Sequence, residues 1–251
     1  MTQEKVKKKK RRRKKNYLLR LIVIMAIVVG LYYFASSSIF DIDEIIVKNN
    51  SFYTSEQIAE RAGVTQGQNI FLDVNKKEMK SALLLDPYIK NVQIKRILPN
   101  QIVFDVNERT EAAGIPYANE YILIDADGLV LRMSQVEPKL PLLIGLTVKS
   151  LETGKALEVE ENALLNGTLN MIKAVNESEI YFKKVDISKI MVKAYVYDHL
   201  ICQGMPEDIT ARIEDKSLEK MIYELYTQGI ERGVITVTAD PTNMAFSPAY
   251  E

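Results

Sequence analysis

The sequence of 251 residues contains a single cysteine, a single histidine and no tryptophan. One cysteine cannot form a disulfide within the chain, so hydrophobic cores of ordinary size must stabilise the domains. A zinc site normally takes several Cys or His ligands, and a nucleophilic Ser or Cys needs a base nearby. The one histidine, His199, lies beside a predicted turn, and Cys202 is expected to be a small buried hydrophobic residue. We therefore predict no metal, no cofactor and no catalytic residue.

The local motifs that usually mark an enzyme are also missing. Gly154 and Lys155 lack the upstream glycine spacing and the following Ser or Thr of a phosphate-binding loop. Asp125 and Asp127 precede Gly128 in a predicted hairpin turn, without the other ligands of a calcium-binding loop. The 33 Asp and Glu residues leave one enzymatic alternative open, a membrane-tethered extracytoplasmic cell-wall hydrolase that uses paired carboxylates.

Hydrophobicity divides the chain at one uncharged segment of 20 residues, Leu21 to Phe40. At a rise of about 1.5 Å per residue, a helix of this length spans the roughly 30 Å hydrocarbon core of a bilayer. Nine consecutive basic residues at 7–15 precede it, and basic flanks stay on the cytoplasmic side. We therefore predict a basic cytoplasmic tail at 1–20, a transmembrane helix at 21–40 and an extracytoplasmic remainder.

Two other interpretations of the amino-terminal region stay open. A cleaved secretory signal has the same parts, although its apolar core usually spans only about 7 to 15 residues. A basic run can also bind nucleic acid, but beside a membrane span it more often sets topology and contacts anionic lipid. Residues 1–20 hold 11 basic residues and one acidic residue, a net charge of +10, so the overall charge of zero leaves −10 for residues 21–251. That acidic body argues against nucleic acid as its ligand.

The segment at 41–109 predicts a small α+β domain. The segment at 40–48 predicts a first strand, and near the end of the domain apolar residues alternate with polar ones in two more segments, which indicates two further strands. Between them, Thr54 and Gln57 have the spacing of a capping box, and Asn75 is a cap candidate for a second helix. The order strand, helix, helix, strand, strand places both helices on one face of a three-stranded sheet.

Residues 110–240 predict a larger, β-rich α+β domain. Apolar residues at helical spacing indicate amphipathic helices at 160–176 and 216–228. A last strand at 233–238 follows the second helix with no further element after it, and 241–251 is expected to be an extended tail. The predicted fold class is therefore α+β, with a single transmembrane helix, a small βααββ domain and a larger β-rich domain.

Short motifs along the chain resemble those of one bacterial family, and they occur in the family's order. They are Ile45, Val47 and Asn50; Gly67 to Asp73; Pro87 with Val92 and Ile94; Leu98-Pro99; Glu108-Arg109; and Leu140-Pro141 with Gly145. From the span to about Pro248 the chain resembles the cell-division proteins called FtsQ in some bacteria and DivIB in others. The resemblance implies that the small βααββ domain is a POTRA domain.

The resemblance also implies where a partner binds. In the family, the helix and the last strand of the second domain receive a small membrane protein that adds a strand of its own. Carried over by position, the contact residues are Ile235, Thr236, Val237, Thr238 and Ala239, with Tyr223, Tyr226 and Phe246 as candidate anchors. A strand at a sheet edge offers unpaired backbone groups for such pairing. The same residue types suit a buried core strand, so that interpretation stays open too.

The function that the resemblance implies is that of a bitopic, non-enzymatic scaffold of the division machinery at the septum. Its expected partners are FtsL-like and DivIC- or FtsB-like bitopic proteins, through which it would regulate septal peptidoglycan synthesis. The hydrolase named above is one alternative. Another is a receptor or assembly factor for outer-membrane or secretion clients, against which the absence of tandem POTRA copies and of a barrel argues.

Overall fold

The computed structural model of the protein describes residues 17–187, 190–240 and 244–248. In this part of the chain an apolar helix is followed by a small α+β domain and then by a larger β-rich domain, which confirms the predicted fold class. Most of the predicted basic tail, at 1–16, lies outside the described residues, and so do 241–243 and 249–251 of the predicted carboxyl-terminal tail.

Helix α1 comprises Tyr17–Ala35, and among the described helices it is the one long and apolar enough to cross a bilayer. Its 19 residues extend over about 28 Å at 1.5 Å per residue. Relative to the predicted span, the helix lies about five residues nearer the amino end, because the chain turns after Ala35 and enters a short 3₁₀ helix at Ser38–Phe40. Phe40 is buried in the core of the next domain.

The first domain has the predicted order of elements: β1 (Glu44–Lys48), α2 (Ser55–Ala62), α3 (Lys76–Leu83), β2 (Ile89–Ile97) and β3 (Gln101–Glu108). In its described sheet, β1 lies parallel to β3 and β2 lies antiparallel to it. Thr54 and Gln57 form the predicted capping box of α2, and Asn75 caps α3. The buried residues of both helices join one cluster with those of β2 and β3, so both helices cover the same sheet face.

The second domain contains all the remaining described elements. They are β4 (Glu111–Tyr117), β5 (Glu120–Asp125), β6 (Val130–Ser134), β7 (Leu142–Ile144), β8 (Val148–Ser150), β9 (Glu158–Val159), α4 (Asn162–Asn176), β10 (Lys184–Asp186), β11 (Val192–Tyr195), β12 (His199–Gly204), α5 (Pro206–Glu214), α6 (Ser217–Thr227), β13 (Arg232–Thr236) and β14 (Ala245–Ser247). The main sheet of the described chain has the order β14-β13-β12-β11-β10-β7-β4-β5-β6. Helices α4 and α6 confirm the two predicted helices, whereas α5 was not predicted.

Ion pairs connect the two domains where β3 ends. Arg109 donates to Asp125 at 2.5 Å, and the Asp125 side chain is 5% exposed. The next carboxylate, Asp127, accepts from Lys90 of β2 at 2.7 Å and from Lys173 of α4 at 3.1 Å. The hydrogen bonds from both lysines lower the pKa of Asp127 to about 2. The hairpin turn between β5 and β6 is therefore attached both to the first domain and to a helix of its own domain.

Candidate partner-binding site

The strand predicted to end the fold does not lie at a sheet edge. β13 pairs in parallel with β12 and antiparallel with β14, so Ile235 lies opposite Cys202 on one side and opposite Phe246 on the other. The prediction that no element follows this strand is wrong. The predicted tail contributes β14 instead, and β14 is the outermost strand at this end of the described sheet.

The predicted contact residues differ in what they can offer a partner. Ile235 and Val237 are 0% and 2% exposed, because strand alternation directs both side chains into the core beneath the helices. The Val237 N–H donates to the Gln203 carbonyl at 2.8 Å, so this backbone donor is already used within the chain. Thr236 is half-buried, while Thr238 and Ala239 are exposed just beyond the strand.

Phe246, one of the candidate anchors, packs against the protein's own sheet. Its ring lies over Gly233, which has a φ of +142°, and a Cβ built on that glycine would lie 2.6 Å from ring atom Cζ and 2.7 Å from the Ser247 carbonyl oxygen. The half-buried ring therefore occupies space that only a glycine leaves open. Phe246 fastens β14 to β13, and Ala245 and Ser247 on either side of it are exposed.

Tyr223 and Tyr226 lie in a different place, a groove of about 820 Å³ beside α6. They are 67% and 59% exposed, and Tyr181 and Tyr197, which were not predicted from the sequence, line the same groove. The groove is lined by α6 and by segments flanking β10 and β11, not by described residues of β13 or β14. The structure therefore separates the predicted residues into a strand group and a tyrosine group.

The chemistry of the groove favours a peptide segment. Tyrosine presents a large apolar ring with a polar tip, and it is enriched at protein–protein interfaces for that reason. Both signs of charge line the same groove, with Lys216, Lys220, Asp215, Glu179 and Glu219. Such a surface can pair with the apolar and charged side chains of a partner chain.

Cys202 and His199, the single cysteine and the single histidine of the sequence, both lie in β12. Cys202 is fully buried in β12, and burial raises the pKa of its thiol to about 12, so the thiol stays protonated at neutral pH. His199 is exposed at the first position of β12, directly after the bend at 196–198 and opposite Arg232 of β13. Because the thiol lies inside the core and the imidazole is exposed, the two side chains do not form a nucleophile–base pair.

The first domain is a POTRA domain: residues 40–109 match the family model described as "POTRA domain, FtsQ-type". A "Cell division protein DivIB" of Clostridium acetobutylicum is 30% identical over 181 residues, which cover 70% of this chain and 72% of that protein. The "Cell division protein DivIB" of Clostridium tetani is 26% identical over 206 residues, covering 79% and 76%. The chain belongs to the DivIB/FtsQ family of cell division proteins.

One more curated protein and one solved structure are also similar to parts of this chain. The "Cell division protein FtsQ" of Syntrophotalea carbinolica is 26% identical over 153 residues, which cover 60% of this chain and 49% of that protein. A solved structure of the major extracytoplasmic domain of DivIB from Geobacillus stearothermophilus matches 43% of this chain and 87% of its own, at 10% identity and a TM-score of 0.29. The names of these relatives give no support to the hydrolase hypothesis.

Proposed function

We propose that this protein is a single-pass membrane scaffold of the division machinery that captures other bitopic division proteins through the β14 end of its second domain. The observation that carries the proposal is the outermost strand β14, which is only three residues long and which lies in the same domain as an exposed tyrosine groove. Family membership supports the division role. The partners we propose are FtsL-like and DivIC- or FtsB-like proteins, and through them the septal peptidoglycan synthase.

The mode of capture that we propose is addition of a partner strand to β14. An outermost strand leaves one side of its backbone to solvent, and extended peptides bind such edges through main-chain hydrogen bonds. β14 has no lysine or proline within its three residues to block this pairing. Phe246 holds the strand in place from the inner side, so the edge is positioned before a partner arrives.

The tyrosine groove supplies the second contact in this proposal. Tyr223 and Tyr226 present more than half of their surface to solvent, at one wall of the groove. Large aromatic side chains in a pocket are the residue types that most often dominate binding energy at interfaces. A partner that extends beyond its added strand would place an apolar side chain between these rings and Tyr181.

We also propose the membrane arrangement on which this capture depends. Helix α1 crosses the cytoplasmic membrane with the basic amino end inside, so that the POTRA domain and the second domain lie outside the cell at the division septum. The protein would then act without catalysis of its own. Regulation of peptidoglycan synthesis would be indirect, through the proteins it gathers.

Site-specific photo-crosslinking in intact membranes tests the capture surface. The crosslinking residue replaces Ser247 or Tyr223 in the full chain, and the captured proteins are identified by mass spectrometry. Val136 is the matched control, because it is 75% exposed but follows β6 at the opposite edge of the main sheet. We expect small bitopic division proteins to be captured from Ser247 and Tyr223 and not from Val136. Equal capture from all three positions, or none from Ser247, would refute the edge model.

A further inference from the structure

The end of α1 is bonded directly to the POTRA domain. Asn69 is 6% exposed, and its side-chain Nδ2 donates to the backbone carbonyl of Ala35, the last residue of the helix, at 2.8 Å. The carbonyls in the last turn of a helix lack partners within the helix, so this amide satisfies one of them. The domain therefore begins at the helix end without a flexible linker.

The other side of the same amide holds the loop that follows. Asn69 Oδ1 accepts from the backbone N–H groups of Phe71 and Leu72 at 3.0 and 3.1 Å. The Asn69 N–H donates to Asp73 Oδ2 at 2.7 Å. One buried side chain thus fixes the segment at 69–73 relative to Ala35. These residues belong to the stretch Gly67 to Asp73 that carried part of the family resemblance.

A chain of aromatic rings makes the same connection through packing. The ring centroids of Phe34 and Phe40 are 5.2 Å apart, and those of Phe40 and Phe71 are 5.1 Å apart, both edge to face. The Phe71 ring therefore lies no more than about 10 Å from that of Phe34, which is in the last turn of α1. Since α1 ends at Ala35, Phe71 stands close to the level at which the helix would leave the bilayer.

The surface beside this joint is apolar and exposed. Ile39, Phe71 and Leu72 expose 61%, 40% and 48% of their area. Lys76 and Lys77 follow them at the start of α3 and are exposed as well. We name these five residues the basal surface.

We propose that the basal surface rests in the headgroup layer of the membrane that α1 crosses. Its occupant is the lipid bilayer itself: the three apolar side chains enter the boundary between headgroups and acyl chains, and the two lysines contact lipid phosphates. This inference rests on the membrane span proposed above.

The position of the joint favours lipid over a protein partner. A bilayer is about 30 Å thick in its hydrocarbon core and about 40 to 45 Å with its interfacial layers, so each interfacial layer is roughly 5 to 8 Å deep. Phe71 lies within about 10 Å of a ring in the last helical turn, and Asn69 prevents the loop from moving away. Because Phe34 is itself in the last turn of α1, a ring within about 10 Å of it lies in or next to the headgroup layer whenever α1 spans the membrane. Asp73 and Glu78 are exposed beside the two lysines, so the polar rim carries both signs of charge, and exposed apolar groups within such a rim match the polarity of that layer.

The absence of tryptophan from the chain allows a background-free depth measurement. The full chain is reconstituted in vesicles of phosphatidylcholine and phosphatidylglycerol, with or without bromine on the acyl chains, after Leu72→Trp or Phe71→Trp. The matched control is Phe52→Trp, an exposed aromatic residue of the same domain that follows β1 at its far end. We expect blue-shifted emission that loses most of its intensity to brominated lipid at position 72, and no loss at position 52.

A third variant separates this inference from the membrane span. Tyr33→Trp places the probe in the last turn of α1, where quenching by brominated lipid reports insertion of the helix. Quenching at 33 without quenching at 72 would overturn the basal-surface proposal and leave the span intact. No quenching at 33 would refute the span and the basal surface together. If Phe71→Trp disturbs the ring packing, Leu72→Trp decides the question, because that side chain is half exposed.

Discussion

Gly233→Ala provides a quantitative test of how β14 is held. The new methyl group would overlap the Phe246 ring, at 2.6 Å from Cζ and closer still to Cε2. The φ of +142° is a conformation that costs a residue other than glycine about 1 to 3 kcal/mol. Displacing the half-buried ring forfeits roughly half of the 1.5 to 3 kcal/mol that full burial of a Phe contributes, about 1 kcal/mol. The expected loss of unfolding free energy is therefore about 2 to 4 kcal/mol. Because the ring belongs to a three-residue strand, we expect β14 to detach first.

The assay combines two measurements on the full chain in detergent. Urea unfolding gives the free-energy loss, and hydrogen–deuterium exchange of residues 245–247 shows whether β14 has detached while β12 stays protected. Gly229→Ala is the matched control, since its φ is +72° but no atom lies within 4 Å of the added methyl group. Backbone strain alone predicts a loss of about 1 to 2 kcal/mol for the control, with unchanged exchange in β14.

The pair of variants also reports on partner capture. If partners bind β14, the detached strand of Gly233→Ala should lower the crosslinking yield from Ser247, while Gly229→Ala should leave it unchanged. Equal stability of the two variants, with equal exchange at 245–247, would refute the claim that packing of Phe246 over Gly233 holds β14 in place.

Three other predictions concern the interior and the two domains. Cys202, whose pKa burial raises to about 12, should resist thiol reagents in the folded protein and react at the rate of global unfolding, as followed by mass spectrometry across a urea series. The pKa of Asp127 is lowered from 3.8 to about 2 in the folded protein. The stability that its ion pairs contribute is therefore complete above about pH 4 and is lost as the pH falls through about 2. The difference in urea midpoint between wild type and Lys90→Met should shrink over that window. Glu108 accepts three consecutive backbone N–H groups at 2.6 to 3.2 Å, so Glu108→Ala should cost about 2 kcal/mol in urea unfolding, and Glu108→Gln clearly less.

The POTRA domain was predictable because its signals are local. The capping box at Thr54 and Gln57 formed as predicted, and Asn49 turns the chain after β1 with a positive φ, which Asn tolerates better than most residues. Gly63 ends α2 in the left-handed conformation, as a glycine at that position usually does. Each of these features depends on residues only a few positions apart. The parallel pairing of β1 with β3 is the exception, since it joins residues as far apart in the sequence as Glu44 and Gln101.

The second domain was harder to predict because its sheet depends on distant pairings. β14 is three residues long, and its pairing with β13 depends on Phe246 meeting Gly233, which no periodicity in the sequence shows. Helix α5 has only nine residues, so its apolar positions repeat once, at Ile209 and Ile213. Pro206 at its first position, followed by two acidic residues, was the available signal.

The candidate site was predictable only in part. The exposed tyrosines of α6 project from other sides of the helix than its buried residues Leu218 and Leu225, and this follows from helical spacing. The other two tyrosines of the groove, Tyr181 and Tyr197, lie in connecting segments beside short strands, so sequence spacing does not relate them to α6. A tyrosine in a connecting segment next to a strand is the weak signal that was available.

The bond between Asn69 and the end of α1 has a mechanical consequence. Because this hydrogen bond joins the helix to the domain without a flexible linker, the two move together. A change in the tilt of α1 therefore rotates the POTRA domain by the same angle. β3, with eight residues at about 3.3 Å each, measures roughly 26 Å, and a tilt change of about 10° moves its far end by about 4 to 5 Å. A neighbour that packs against α1 inside the bilayer would thereby reposition Arg109 and the carboxylates it holds.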